Sequence, residues 1–449
     1  MQTRAPLRRH RVTLRLQTTE LVVGSARPPS SFSQTLPSPL QIAVFCRVVD
    51  NFGDIGVCWR LARQLVTEHG AQVRLWLDRL DTLAPIAAGV DITAEAQVIE
   101  GIDLHQWTSG SFEAPAFGMG ASDAPPCVDH AEDLALWAHV IVEGFGCGLP
   151  EPLVACLGDQ AQALRWIVLE YLSAEPWVDT HHGLASPHPR LGTPRHFFFP
   201  GFNGATGGLL RERDLLARRN AFGDKERHDY WRRHGLDGDL AQAFIVSVLA
   251  YPDAPLGALI DQWLTPGGLP ADCHGVVTGM APGGLADRMA VQRPEGMRVE
   301  VGASRSELGR AAEPGFAPVL LPFVVQPLFD QMLWASDLNI VRGEDSFVRA
   351  QWAARPFIWH IYPQADAAHL VKLEAFLDGY CQGMDAPVAV AVRGLWRQFN
   401  QRPEGDLAAW QSVLPHWEAW RAHARQWAAQ LAEQTDLASR LVAFCREQL

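Results

Sequence analysis

No stretch of eighteen consecutive apolar residues occurs in this chain, which removes the membrane-spanning classes. Basic residues are outnumbered: 38 Lys and Arg stand against 50 Asp and Glu, giving a formal net charge of −12. A nucleic-acid binder is thereby disfavoured, because affinity for phosphate needs clustered cations. The eight cysteines (Cys46, Cys58, Cys127, Cys147, Cys156, Cys273, Cys381 and Cys445) form no C-x-x-C pair and no dense framework. That excludes a disulfide scaffold and fits reduced thiols in a cytoplasmic protein. The amino-terminal stretch lacks the continuous apolar core of a secretory signal. Residues 1–40, with Arg8-Arg9-His10-Arg11 and Pro28-Pro29-Ser30-Ser31, read as a poorly ordered extension outside the fold. An organellar transit segment and a start codon assigned too far upstream are the other readings of it.

What is present, in 449 residues of which 48% are hydrophobic, is enough for two ordinary domains with separate cores. From Gln41 onward, short runs rich in Val, Ile and Phe alternate with helical periodicity, the pattern of a parallel sheet built from βαβ units. The runs Ile42 to Val49, Val73 to Leu77, Val140 to Glu143, Trp166 to Glu170 and His196 to Phe199 predict strands, and Ile55 to Glu68 predicts a helix. The pattern lapses at Gly201 to Gly208 and the charge-dense Arg211 to Arg233, where a boundary is expected. It resumes with strands at Phe244 to Leu249, Gly275 to Thr278, Val319 to Leu321, Leu338 to Val341 and Phe357 to His360. Phe329 to Ser336 and Ser346 to Ala354 form helices between them.

Trp410, Trp417, Trp420 and Trp427 follow at helical spacing and read as a core stripe rather than a sugar-stacking platform. The expected fold is α/β of GT-B type, two Rossmann-like domains facing each other across a cleft and followed by C-terminal helices. The divisions are the extension 1–40, an acceptor-side domain with linker 41–240, a nucleotide-sugar domain 241–430, and a terminal helix 431–449 that packs back on the first domain.

The segment Asp50-Asn51-Phe52-Gly53-Asp54-Ile55-Gly56 runs from a buried strand into a helix, the place where ligands bind in open α/β sheets. Only Gly53 and Gly56 are present, without G-x-G-x-x-G, so a dehydrogenase reading is weakened. Asp50 and Asp54 stand four apart, which puts both carboxylates on one side of a helical turn or on the same rim of a tight loop. They serve either as an acid/base pair or as a turn residue and a helix cap.

A second junction, Val341-Arg342-Gly343-Glu344-Asp345-Ser346, again reads strand, turn, helix. Amides at the helix start would face a pyrophosphate, Arg342 would clamp it, and Glu344 suits ribose hydroxyls; an N-capped surface helix is the alternative. Neither turn carries D-x-D, and His181, His182 and His188 lack metal-ligand spacing, so no metal and no cofactor are expected.

The unbroken run Phe45 to Arg63 resembles the EarP family, bacterial protein-arginine rhamnosyltransferases that modify translation elongation factor P. The likeness continues at Leu169 to Glu175, Phe198 to Phe202, Gly207 to Glu212, Leu321 to Phe323 and Arg342 to Ser346. It implies an inverting transfer of L-rhamnose from dTDP-β-L-rhamnose to an arginine guanidinium of that factor, relieving ribosome stalling at polyproline. It also implies Asp54 as general base and Asp50 as the group that orients the guanidinium. The nucleotide would lie among Tyr251, Phe323, Phe329, Arg342, Glu344, Asp345, Ser346 and Tyr362, with Phe323 and Phe329 near thymine and Tyr362 near the phosphates. Leu249 departs from the family, which tends to carry an aromatic there.

Two other functions stand beside this one: a nucleotide-sugar transferase with a different acceptor, and a non-catalytic nucleotide-binding module that regulates a protein partner. A module has no need of a poised carboxylate pair, whereas acceptor choice rests on the resemblance.

Overall fold

The computed structural model describes residues 39–50, 52–108, 111–112, 129–158, 164–188, 194–234, 243–270, 273, 275–280, 315–321, 324–401 and 407–447. Residues 1–38 of the extension, Asn51, Cys127 and Phe323 lie outside the described residues.

Among the described residues two sheets carry the fold. The first has eight strands: β1 (Gln41–Cys46), β2 (Gln72–Leu77), β3 (Ala96–Ile99), β4 (Ile102–Gln106), β5 (Val140–Gly144), β6 (Arg165–Leu169), β7 (Ala185–Pro187) and β8 (Pro194–Phe198). They lie in the order β3-β4-β2-β1-β5-β6-β8-β7. The six inner strands pair in parallel, and β3 and β7 close the edges antiparallel. The second sheet joins β9 (Ala243–Val248), β10 (Gly275–Met280), β11 (Gly315–Leu320), β12 (Leu338–Arg342) and β13 (Phe357–His360) in the order β11-β10-β9-β12-β13, all parallel.

The inner strands coincide with the apolar runs because both faces of a parallel sheet are covered, which leaves no polar alternation to disguise them. The edge strands β3 and β7 are half-exposed, so burial does not select apolar residues there and no run marks them. β11 begins earlier than its apolar run suggests: it contains Pro318, which an edge strand accommodates because one side of its backbone needs no donor.

β1 stops at Cys46, short of the expected Val49. Beyond Cys46 the backbone donors leave the ladder: Val48 N–H goes to Asp78 Oδ1 at 2.9 Å, and the next two go to Asp54. The chain is thus drawn into a turn, and Val49 is 72% exposed.

Five helices frame the two strand-to-helix junctions and the cores behind them: α1 (Phe52–His69), α2 (Gln326–Ala335), α3 (Asp345–Ala353), α4 (Trp417–Ala432) and α5 (Leu437–Glu447). The buried face of α1 carries Ile55, Cys58, Leu61 and Leu65 into a core shared with Ile42 and Val44 of β1. The same core takes Leu437, Leu441 and Val442 from α5.

The four spaced tryptophans are buried in the core of the second sheet, as core residues. Trp410, Trp420 and Trp427 donate their indole N–H groups to Gly268 O, Tyr380 Oη and Gln351 Oε1. A buried indole that lost such a partner would leave an orphaned donor, so each ring is fixed in orientation as well as depth. Among the described residues no helix is long and apolar enough to cross a membrane.

Candidate active site

The first turn is organised by one carboxylate. Asp54, in the first turn of α1 and only 1% exposed, accepts the backbone N–H of Val49 and of Asp50 on Oδ2, each at 2.8 Å. Its side chain reaches backward to hold the loop that precedes the helix. Burial raises its pKa above the ordinary Asp value, and the charge of Asp50 adds to the rise; the two amides and a hydrogen bond from the Tyr171 hydroxyl oppose it. Tyr171 in turn stacks on Phe145, with centroids 4.5 Å apart and 24° between planes. Phe145 holds a left-handed φ of 56°, costly for a residue with a bulky Cβ.

Asp50 is placed differently from Asp54. It lines the cleft, and its Oδ2 accepts the hydroxyl of Tyr251, from the loop after β9, at 2.8 Å. The turn closes through Gly53 N–H to Asp50 O at 2.6 Å. Two glycines make room for the carboxylate: a Cβ on Gly53 would lie 2.8 Å from Asp50 Oδ2, and one on Gly343, whose φ is +60°, would lie 2.7 Å from it.

Gly343 belongs to the second turn, so the two junctions singled out in the sequence meet. Ser346 at the start of α3 accepts the Arg342 N–H on Oγ at 3.1 Å and returns its own hydroxyl to the Arg342 carbonyl. The Arg342 guanidinium sits 4.9 Å from the Tyr251 ring centroid, a cation–π contact. Tyr362, 49% exposed, packs edge-on to Tyr251 at 5.4 Å.

Glu344 turns away from the turn's open side: its Oε2 accepts Leu172 N–H, across the cleft, at 3.0 Å. Burial pushes this carboxyl up to about 8. Asp345 also reaches across, accepting Arg60 Nε of α1 on Oδ1 at 2.7 Å.

Between the turns lies a cavity open to solvent on one side. Its polar margin is Asp50, Arg342, Asp345 and Ser346; its apolar wall includes Phe329, Leu249, Val248 and Met332. Of the expected site residues, Asp50, Phe329, Arg342, Asp345 and Ser346 line this cavity, and Tyr251 supports it from behind. Asp54 lies under the turn, Glu344 accepts Leu172 N–H on one oxygen, and Tyr362 stands at the exposed flank. Leu249, at the position where the resembled family tends to carry an aromatic, forms part of the apolar wall.

Among the described residues no cluster of three or more His, Cys, Asp or Glu side chains is arranged to hold a metal. The three histidines have other partners: His181 Nδ1 meets Trp177 O at 2.7 Å, His182 Nδ1 accepts Phe199 N–H at 3.0 Å, and the His188 ring stacks on Trp166.

Sequence reasoning missed the Phe145–Tyr171 stack behind Asp54 and the ionic contacts of Arg60. Tyr171 lay inside one of the segments of family resemblance, a signal that was available. Arg60 lies inside another, but its partners are 152, 270 and 285 residues away.

A family model described as Elongation-Factor P (EF-P) rhamnosyltransferase EarP matches residues 42–446. A protein-arginine rhamnosyltransferase of Pseudomonas putida is 42% identical over 411 residues, covering 90% of this chain and 98% of its own length. One of Pseudomonas aeruginosa is 37% identical over 409 residues, covering 90% and 99%. The solved structure reported as the structural basis for EarP-mediated arginine glycosylation of translation elongation factor EF-P is 32% identical. It superposes with a TM-score of 0.57 over 91% of this chain and 99% of its own.

Proposed function

The chain belongs to the EarP family of protein-arginine rhamnosyltransferases, and from that membership we propose that it moves L-rhamnose from dTDP-β-L-rhamnose to one arginine of translation elongation factor P, with inversion at the anomeric carbon. The observation that carries the reading is the convergence of the two turns: Asp50, bonded through its amide to Asp54, faces Arg342 and Ser346 across a single cavity.

A guanidinium stays protonated at working pH, with a pKa above about 12, and its delocalised lone pairs are poor nucleophiles. In the proposed reaction Asp50 orients the planar fork and Asp54 takes a proton from the attacking nitrogen as the N–C1 bond forms. The C1–O bond to the diphosphate breaks in the same step, and its electron pair leaves with dTDP. A base with a raised pKa is the better proton acceptor while it remains ionised at neutral pH. Charge on the leaving diphosphate falls to Arg342 and to the amides at the start of α3. Phe329 and Phe323 are assigned to the thymine, and no resident metal enters this scheme.

The modified factor acts on ribosomes stalled at polyproline in this reading, and the enzyme works in the cytoplasm where that factor is found. The test is intact-mass measurement of elongation factor P after incubation with the protein and dTDP-β-L-rhamnose. The expected result is a gain of one deoxyhexose that disappears when the acceptor arginine is replaced. An unchanged mass with active donor present would overturn the assignment.

A further inference from the structure

Resting on the reaction just assigned, we infer that Arg60 is a positioning residue for the transfer: it sets the helix that bears Asp54 in register with the turn proposed to hold the donor. Arg60 is 2% exposed and lies six residues beyond Asp54 on α1. Its guanidinium meets three carboxylates: Nε to Asp345 Oδ1 at 2.7 Å, Nη2 to Asp330 Oδ1 at 3.3 Å and Nη1 to Glu212 Oε1 at 3.4 Å. Arg349, 1% exposed, completes the cluster by binding both oxygens of Asp330 at 2.8 and 2.6 Å and Glu212 Oε2 at 2.8 Å.

The origin of the five groups gives the cluster its meaning. Asp330 comes from α2, Asp345 and Arg349 from α3, and Glu212 from the connection between the sheets; Arg60 alone comes from the helix of the first turn. One turn before Arg60, Gly56 lies against the same helix start, where a Cβ would come within 3.1 Å of Asp345 Cβ. Gln326 at the head of α2 donates Nε2–H to Gly56 O at 2.9 Å. The face of α1 between Gly56 and Arg60 is therefore docked on the starts of α2 and α3, and Asp54 stands at its end.

Such a cluster is weak evidence for stability, since buried ion pairs are often replaceable by apolar residues of the same volume without loss. What a fork with several fixed partners supplies is orientation: its N–H directions are rigid, so it fixes an angle as well as a distance. A displacement of about 1 Å at the reacting groups can lower a rate about a hundredfold. Arg60 touches neither cavity nor substrate, and acts through the placement of α1.

The test compares full-length wild type with Arg60→Lys, which keeps the charge and loses the fork. Turnover at saturating donor and acceptor, dTDP affinity by calorimetry and thermal melting are measured for both. Amide exchange of the 47–56 segment, which contains the Val49 and Asp50 N–H groups held by Asp54, is measured without any substrate. The expected result is a 10- to 100-fold fall in turnover with dTDP affinity within threefold, and faster exchange in that segment while the β9 and β12 segments stay protected.

A folded Arg60→Lys protein with turnover within twofold of wild type, or with unchanged exchange in 47–56, overturns the inference. So does a loss of turnover that merely tracks the loss of folded protein. Should Arg60→Lys fail to fold, Glu212→Gln, at a more exposed corner of the cluster, carries the same expectations in smaller degree. A wild type that binds dTDP but transfers nothing defeats the functional reading instead, and the exchange measurement still decides the role of Arg60.

Discussion

The hydroxyl of Tyr251 donates to Asp50 Oδ2 at 2.8 Å, so the loop after β9 directly holds a carboxylate of the turn after β1. Asp50 is then oriented before any acceptor arrives, with one oxygen committed and the other left to bind. Removing the hydroxyl as Tyr251→Phe leaves the ring under Arg342 and frees Asp50 to rotate. A hydrogen bond to a charged group is worth about 1.5–3 kcal/mol. Transfer should fall roughly 10- to 100-fold, mostly in turnover and acceptor KM, while dTDP affinity measured by calorimetry changes little.

Asp54→Asn should abolish transfer and leave dTDP-rhamnose affinity nearly unchanged, because the amide still accepts the two N–H groups of the turn on its oxygen but cannot take a proton. Full activity in this variant would remove Asp54 from the base role.

The pH profile follows from the same residue. Burial raises the Asp54 pKa, so the ionised base is lost on acidification earlier than from an ordinary Asp with a pKa of about 3.9. Turnover at saturating substrates should therefore decline on the acid side with a midpoint above that value. A rate that stays flat down to about pH 4 contradicts the assignment.

Gly343→Ala tests the contact between the turns. The new methyl would lie 2.7 Å from Asp50 Oδ2 on a backbone with φ of +60°. Strain of about 1–2 kcal/mol is expected in stability, read by denaturant unfolding. The loss of transfer should be the larger effect, about a hundredfold, because Asp50 must move away.

Glu344 offers a stability test of the opposite sign to most carboxylates. Its carboxyl is near 8 in the folded protein, against about 4.3 in an unfolded chain. Between those values the folded state holds a proton that the unfolded state lacks. Its contribution is complete below about pH 4 and is lost as pH rises toward 8, with a slope of at most about 1.4 kcal/mol per pH unit. Glu344→Gln should flatten this part of the stability profile while retaining the acceptor for Leu172 N–H. Glu344→Ala separates the bond to Leu172 from a ribose contact: weakened dTDP binding by calorimetry supports the ribose role, and unchanged binding removes it.

Both turns were legible in the sequence because their signals are local: a buried run, a glycine, and an acidic or hydroxyl residue at a helix start. The spacing of Asp50 and Asp54 made the two carboxylates look equivalent. They differ because Asp54 bends back onto the amides of Val49 and Asp50 and is buried by doing so. That Glu344 also accepts Leu172 N–H was not legible, because a sequence cannot show which amide lies opposite a carboxylate. Arg60 was illegible for the same reason in stronger form. Its partners Asp330 and Asp345 are 270 and 285 positions away, and a lone arginine on an amphipathic helix reads as solvated. The inner strands were legible through burial on both faces; β3 and β7 were not, having little burial to record.

The core shared by β1 and α5 has a consequence for how the protein is made. Ile42 and Val44 of β1 are synthesised well before Leu437, Leu441 and Val442 of α5, with which they share a core. The first sheet therefore cannot finish its own packing when it emerges. It waits, with part of its apolar surface uncovered, until α5 has left the ribosome.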